Sequence, residues 1–261
     1  MSQPSRLNYV YAVGRVRALE TFLIQQAVFR EAAETTDFSA ALKVIYDAGR
    51  YPEDLIKARN SDDIDTFLAR EGENVKREAA ELIPEKDVLD AFLLADDPEE
   101  SLAAARRSGY PFLREFTRRR IDLANIKRFS RAKYLGIPAE EFKIHLLRGG
   151  FMEPKVFLDR YTLPPAELCA KSGGSDYCDL IIRATDALEE RETFVVLERE
   201  SENFLMRYLR LARRFTFGPE PVFAYAEAKK KELRLIRLVG VGKFIQLPAE
   251  LLKERISETY V

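Results

Sequence analysis

A gapless self-match constrains this 261-residue chain more tightly than any other feature of its sequence. Asp122-Leu-Ala-Asn-Ile-Lys-Arg-Phe-Ser-Arg-Ala-Lys-Tyr-Leu-Gly-Ile-Pro-Ala-Glu140 returns 110 residues later as Glu232-Leu-Arg-Leu-Ile-Arg-Leu-Val-Gly-Val-Gly-Lys-Phe-Ile-Gln-Leu-Pro-Ala-Glu250. Leu123, Ile126, Lys133, Pro138, Ala139 and Glu140 recur as Leu233, Ile236, Lys243, Pro248, Ala249 and Glu250. Lys127/Arg237, Tyr134/Phe244 and Ile137/Leu247 are conservative pairs. Each copy reads as a long helix, a short linker and a second helix opened by Pro-Ala-Glu. Self-similarity over a long period marks supersecondary units that bury their apolar faces on one another. Matched apolar positions then serve equivalent cores. Ile126 and Ile236 are expected to be buried, as are Tyr134 and Phe244, with Lys127 and Arg237 on equivalent sides of their lobes.

The remaining segments also read as helix. From Glu202 to Phe215, apolar residues follow the i, i+4, i+7, i+11 spacing of one helical face, and Leu7 to Phe29 carries a similar stripe through Val13, Val16, Leu19 and Leu23. Pro98, Pro138, Pro165, Pro219 and Pro248 each precede a Glu within two residues. Proline is harmless at a helix start, and an early carboxylate suits the positive end of the helix dipole. The one β-like run, Thr193–Leu197, is short. A further pattern, a short helix closed by Gly and Tyr, occurs at Asp37–Tyr51, Asp97–Tyr110 and Pro165–Tyr177, with glycine expected in the left-handed stop position. The expected fold is all-α: a single domain over 1–261 built of pseudo-repeated helical lobes. Repeat units lie near 112–147 and 222–256, and a degenerate third is left open.

Composition removes most chemistry. His145 is the only histidine, so a catalytic triad would have to rest on that residue alone and a multi-histidine metal site cannot exist. With apolar neighbours, His145 is expected to be packed and hydrogen-bonded. Cys169 and Cys178 are too few for a zinc cluster or a disulfide framework. Gly240-Val-Gly-Lys243 resembles a P-loop only superficially: Arg237 and Phe244 stand where the motif needs Gly and Ser or Thr, so the glycines read as a helix break. Asp62-Asp63, Asp96-Asp97 and Glu189-Glu190 read as charges at helix starts. No catalytic residue, metal or cofactor is expected. The longest uncharged stretch, Thr21–Phe29, is far shorter than the roughly 18 apolar residues of a bilayer span. No membrane insertion is expected, and with no signal-peptide pattern at the start a cytoplasmic location is.

Charge is segregated along the chain, with a net −12 over residues 20–100 and +8 over 101–160, although the total is −1. Such asymmetry points to charged partners or to lobes that meet each other. Arg118-Arg119-Arg120 with Lys127, Arg128, Arg131 and Lys133 forms the densest basic stretch, and Lys229-Lys230-Lys231, Arg234 and Arg237 occupy the matching helix. The partner-interface candidates are Arg119, Lys127, Arg128, Arg131, Lys230, Arg234 and Arg237. A nucleic-acid-binding protein or a helical scaffold using the basic 106–133 stretch is the alternative. A sequence pI near 6 and the lack of a nucleic-acid module argue against nucleic acid as a partner.

The same residues resemble a known family, the central-stalk C subunits of V-type and A-type ATPases, whose eukaryotic relative is the d subunit. The likeness is carried by Gly218-Pro-Glu-Pro-Val-Phe-Ala-Tyr225, Lys231-Glu232, Ile236-Arg237, Gly242-Lys243, Glu254-Arg255 and Tyr260-Val261. It recurs at Asp122-Leu-Ala-Asn-Ile-Lys127 with Arg131-Ala-Lys133, at Tyr9-Val-Tyr-Ala12 with Arg15 and Arg17, and at the Asp37–Tyr51 segment. Family members carry three lobes about a pseudo-threefold axis, and this chain is too short for three full ones. The resemblance implies a non-catalytic rotor adaptor, peripheral to the membrane. It would couple shaft subunits of D and F type to a membrane rotor ring for proton or sodium transport.

Overall fold

The computed structural model describes residues 6–169 and 175–261. The helices are α1 (Val10–Leu19), α2 (Gln26–Glu34), α3 (Phe38–Ala48), α4 (Asp54–Lys57) and α5 (Ser61–Leu82). They continue as α6 (Lys86–Leu93), α7 (Pro98–Arg107), α8 (Pro111–Tyr134), α9 (Ala139–Lys143) and α10 (Pro154–Asp159). The last four are α11 (Ser175–Arg191), α12 (Val195–Arg210), α13 (Glu220–Phe244) and α14 (Ala249–Arg255). Short 3₁₀ turns occupy Arg6–Tyr9, Glu20–Phe22, Pro165–Leu168 and Leu211–Arg214, and no strand occurs among the described residues. The chain is all-α.

Local chemistry sets the helix starts. Asp37 Oδ1 accepts from Ala40 N at 2.9 Å, Asn60 Oδ1 from Asp63 N at 2.9 Å, and Asp97 Oδ1 from Glu99 N and Glu100 N at 3.1 Å. Each satisfies amide donors that have no partner in the first turn. Pro98 and Pro111 open α7 and α8, while Pro138, Pro219 and Pro248 stand just before α9, α13 and α14. Thr193–Leu197 is not a strand, because Val195 already begins α12.

Apolar burial falls into two clusters. The larger wraps α13 with α1, α2, α3, α5, α6 and the start of α8, through Tyr9, Phe29, Leu42, Ile64, Phe92, Phe116, Phe223 and Ile236. The second gathers the later part of α8 with α9–α12, through Leu123, Ile126, Phe129, Phe142, Phe157, Leu180 and Leu197. The long helix α8 therefore passes from one core into the other.

The matched segments take the same course. Ile126 and Ile236 are both fully buried. Each long helix ends in a left-handed residue, Gly136 (φ 67°) and Gln246 (φ 59°). Ile137 N bonds Ala132 O at 2.9 Å and Leu247 N bonds Gly242 O at 2.8 Å, the six-to-one closure of a Schellman stop. Lys133 Nζ donates to the carbonyls of Tyr161 (2.7 Å) and Leu163 (2.6 Å), and Lys243 Nζ likewise reaches Ala33 O and Thr35 O. Buried carboxylates also correspond. Asp122 accepts from Phe151 N, Met152 N and the Tyr177 hydroxyl, and Glu232 accepts from Ile24 N, the Tyr51 hydroxyl and Lys229 Nζ.

Several expectations are corrected. Tyr134 and Phe244 are 51% and 40% exposed, since each lies past the last core-facing turn. Each rests edge-on against one ring, Phe194 and Phe38 respectively. Gly240 and Gly242 do not break α13 but lie buried inside it, and a Cβ on Gly242 would stand 2.3 Å from Leu252 Cδ2. Gly242 permits close packing of α14, while Gly240 faces Leu42 of α3 and Ile64 of α5. The Leu7–Phe29 stripe is not one helix: Leu23 turns extended so that Ile24 N can reach Glu232 at 2.5 Å. In the Gly–Tyr pattern, Gly109 is left-handed (φ 74°) but Gly49 is not (φ −105°). A Cβ on Gly49 would press on Ile24 and Tyr51, so glycine there serves close approach. The glycines of the third occurrence, Gly173 and Gly174, lie outside the described residues.

Candidate interaction surface

Helix direction places the candidate residues. Tyr208 stacks on Phe112 (4.8 Å) at the start of α8, while Glu198 pairs with Lys127 and Arg131 near its end, so α12 runs antiparallel to α8. Lys231 pairs with Glu202, and Leu238 shares a cleft with Phe194, so α12 is antiparallel to α13 as well. Phe116 meets Phe223 at 5.4 Å. Helices α8 and α13 therefore begin side by side and end at the same pole of the molecule. That pole also holds the start of α5, since Arg237 near the end of α13 forms a bidentate pair with Asp65 (2.8 and 3.1 Å).

Between the first half of α12 and the second half of α13 lies a cleft of about 490 Å³, lined by Phe194, Val195, Leu235 and Leu238 with Glu198, Glu202, Lys231, Arg234 and Arg255 among its charged residues. Arg234 and Arg255 are exposed and form no hydrogen bond or ion pair among the described residues. Lys231 is buried against Glu202. Burial alone would raise the Glu202 pKa, but the charge and hydrogen bond of Lys231, with Arg234 and Ser257 Oγ, hold it below the usual carboxylate value. Burial lowers the Lys231 pKa despite that partner.

Of the seven predicted interface residues, six have internal work. Arg119 is half-buried, 4.4 Å over the Tyr208 ring and 5.0 Å over Phe151, and bonds Glu115. Lys127 (3.0 Å) and Arg131 (2.5 Å) share the Glu198 carboxylate. Arg128 donates to His145 O at 2.9 Å, and burial lowers its pKa. Lys230 donates to Phe92 O at 2.9 Å with its ammonium 3.6 Å over the Phe92 ring, and burial lowers its pKa also. Arg237 holds Asp65. Only Arg234 of the seven stands open. Arg118 and Arg120 are likewise engaged, on Gly150 O and Ala95 O. The basic 106–133 stretch therefore offers few unsatisfied cations to phosphates. His145 has an exposed side chain, not the packed one expected, because α9 turns it outward after Phe142 takes the core position. Glu189 and Glu190 end α11 and start no helix.

Sequence matching missed the apolar tips. Tyr134 and Leu135 (51% and 68% exposed) and Phe244 and Ile245 (40% and 58%) crown the ends of α8 and α13. The pairing of the positions was legible, but exposure was not. At the opposite pole, where α8 and α13 begin and α12 ends, Leu7, Tyr11, Leu211 and Phe217 are exposed. Among the described residues, no group of three or more His, Cys, Asp or Glu is arranged to hold a metal. No helix among them is long and apolar enough to cross a membrane.

Residues 98–255 match the family model described as ATP synthase (C/AC39) subunit. The C subunit of the V-type sodium ATPase of Enterococcus hirae is 33% identical over 86 residues, covering 33% of this chain and 26% of that protein. The C subunit of the A-type ATP synthase of Desulfurococcus is 29% identical over 148 residues, covering 56% of this chain and 38% of that protein. Its namesake in Halobacterium salinarum is 23% identical over 233 residues, covering 84% of this chain and 66% of that protein. The chain thus spans between 26% and 66% of the length of these relatives.

Proposed function

We propose that this chain, which belongs to the ATP synthase (C/AC39) subunit family, is a non-catalytic rotor adaptor that joins a D–F-type central shaft to a membrane rotor ring for proton or sodium transport. The observation that carries this proposal is the placement of two groups among its exposed apolar side chains. Tyr134, Leu135, Phe244 and Ile245 crown one pole of the α8–α13 pair, and Leu7, Tyr11, Leu211 and Phe217 the other. Apolar clusters of this kind mark association sites. Two of them at opposite poles of a helical body suit a part held between two partners. Transmitting torque requires a stiff link, and the 24- and 25-residue helices α8 and α13, locked by buried carboxylate contacts, supply one. On this reading the protein is peripheral to the membrane, on its cytoplasmic side.

Pull-down with the D- and F-type shaft subunits of the same organism tests the proposal. Retention is expected at modest salt and should weaken between 0.1 and 1 M, as the screening length falls from about 10 Å to about 3 Å. No association at any salt concentration would refute it.

A further inference from the structure

The two poles differ in charge, and the difference assigns them. At the pole crowned by Tyr134-Leu135 and Phe244-Ile245, Asp62, Asp63, Glu189, Glu190 and Glu192 are exposed and form no ion pair among the described residues. Arg59 beside Asp63, and Arg234 and Arg255 in the cleft, are exposed there without ion pairs among the described residues, so the five open carboxylates outnumber the three open arginines. The other cations nearby are already held: Arg131 by Glu198, Arg191 by Glu254, and Lys253 by Glu34 and Glu250. Lys133 and Lys243 are taken up by backbone carbonyls. The opposite pole is basic. Arg114, Arg213 and Arg214 are exposed there without ion pairs among the described residues, beside Leu211 and Phe217.

We propose that the acidic, apolar-tipped pole docks onto the Lys/Arg-rich loops of the membrane-embedded ring, leaving the arginine pole for the shaft. The assignment rests on the adaptor function proposed above. Membrane proteins concentrate Lys and Arg in their cytoplasmic loops, so such a ring meets this chain with a positive rim. Anionic headgroups would repel the same pole, which selects protein loops over the lipid surface. Complementary charge steers and orients an encounter, while desolvated apolar contacts hold it. The tip pairs sit at corresponding stops of two long helices. They suit a partner that offers one contact more than once, as a ring of identical copies does.

The test uses the full chain, its ring reconstituted in neutral-lipid vesicles, and its D–F-type shaft. Leu135→Asp with Ile245→Asp should cut ring retention at least about tenfold and leave shaft binding unchanged. Glu189→Lys with Glu190→Lys should weaken ring retention and flatten its salt dependence. Arg213→Glu with Arg214→Glu should spare the ring and weaken the shaft. All these side chains are exposed, and circular dichroism checks that each variant keeps its helix content. Loss of the shaft but not the ring from the tip variant would reverse the assignment. Wild-type binding by both variants of the acidic pole would overturn it. So would binding to ring-free phosphatidylglycerol vesicles that the tip variant abolishes. Failure of the unaltered chain to hold either partner would instead remove the adaptor function, and this assignment with it.

Discussion

Asp122 is fully buried within α8, and its replacement by asparagine probes how the second core is locked to that helix. Its Oδ2 accepts from Phe151 N (3.0 Å) and the Tyr177 hydroxyl (2.9 Å), and its Oδ1 from Met152 N (2.9 Å). One carboxylate thus ties the 150–152 turn and α11 to α8. Asparagine keeps the shape but retains one acceptor oxygen, so its NH₂ must face an N–H donor. A buried donor left unpaired costs about 1–3 kcal/mol, and the two surviving bonds lose their charge assistance, about 1 kcal/mol each. Part of this is offset, because burial raises the Asp122 pKa despite those donors, so the charge itself is held at some cost. The net expectation is a loss of about 2 kcal/mol for Asp122→Asn and about 3–5 kcal/mol for Asp122→Ala, which orphans all three donors. For a chain of this size, 2 kcal/mol corresponds to a fall in Tm of about 4–8 °C. Thermal unfolding followed by circular dichroism at pH 7 measures it. A variant within about 0.5 kcal/mol of the parent would show that these bonds do not hold the core to α8.

Three further outcomes are expected. A Cβ at Gly150 would stand 2.1 Å from Asp122 Oδ1, so Gly150→Ala should destabilise by about 1–3 kcal/mol, whereas Gly14→Ala meets nothing within 4 Å in α1 and should stabilise by about 0.5–1 kcal/mol. The two melting curves should move in opposite directions. Truncating Ile126 or Ile236, both fully buried, to Ala should cost about 2–5 kcal/mol each in urea titration, against under about 1 kcal/mol for Lys127→Ala. Glu202 has a folded-state pKa below its ordinary 4.5, so the stability it contributes is present above that value and is lost as pH falls through the lower folded value. The Tm gap between the parent and Glu202→Gln should therefore close on acidification, and a gap that widens would contradict the ion pair with Lys231.

The all-α class, the helix starts at proline and the burial of Ile126 and Ile236 were legible because they follow from periodicity and capping. The two long helices and their breaks were legible from the self-match. Its misreadings share a cause. A matched apolar pair shows that two positions are equivalent, not that they are inside, so Tyr134 and Phe244 passed as core although both lie beyond the last buried turn. Glycine spacing pointed to a break at Gly240, but the stop is made by left-handed Gln246 and by Pro248, with Gly242 giving room for Leu252. The basic face on α8 looked free in sequence. Its cations find carbonyls and carboxylates from segments distant in sequence, such as Glu198 for Lys127 and His145 O for Arg128, which no local pattern reveals.

Whether the chain bridges shaft and ring is read out by co-sedimentation. Ring-containing vesicles are mixed with shaft subunits in the presence or absence of this chain, then pelleted. The shaft is expected to pellet with the ring only when the chain is added, in proportion to the chain bound. Equal recovery of the shaft without the chain, or a chain that pellets while the shaft stays in solution, would contradict bridging.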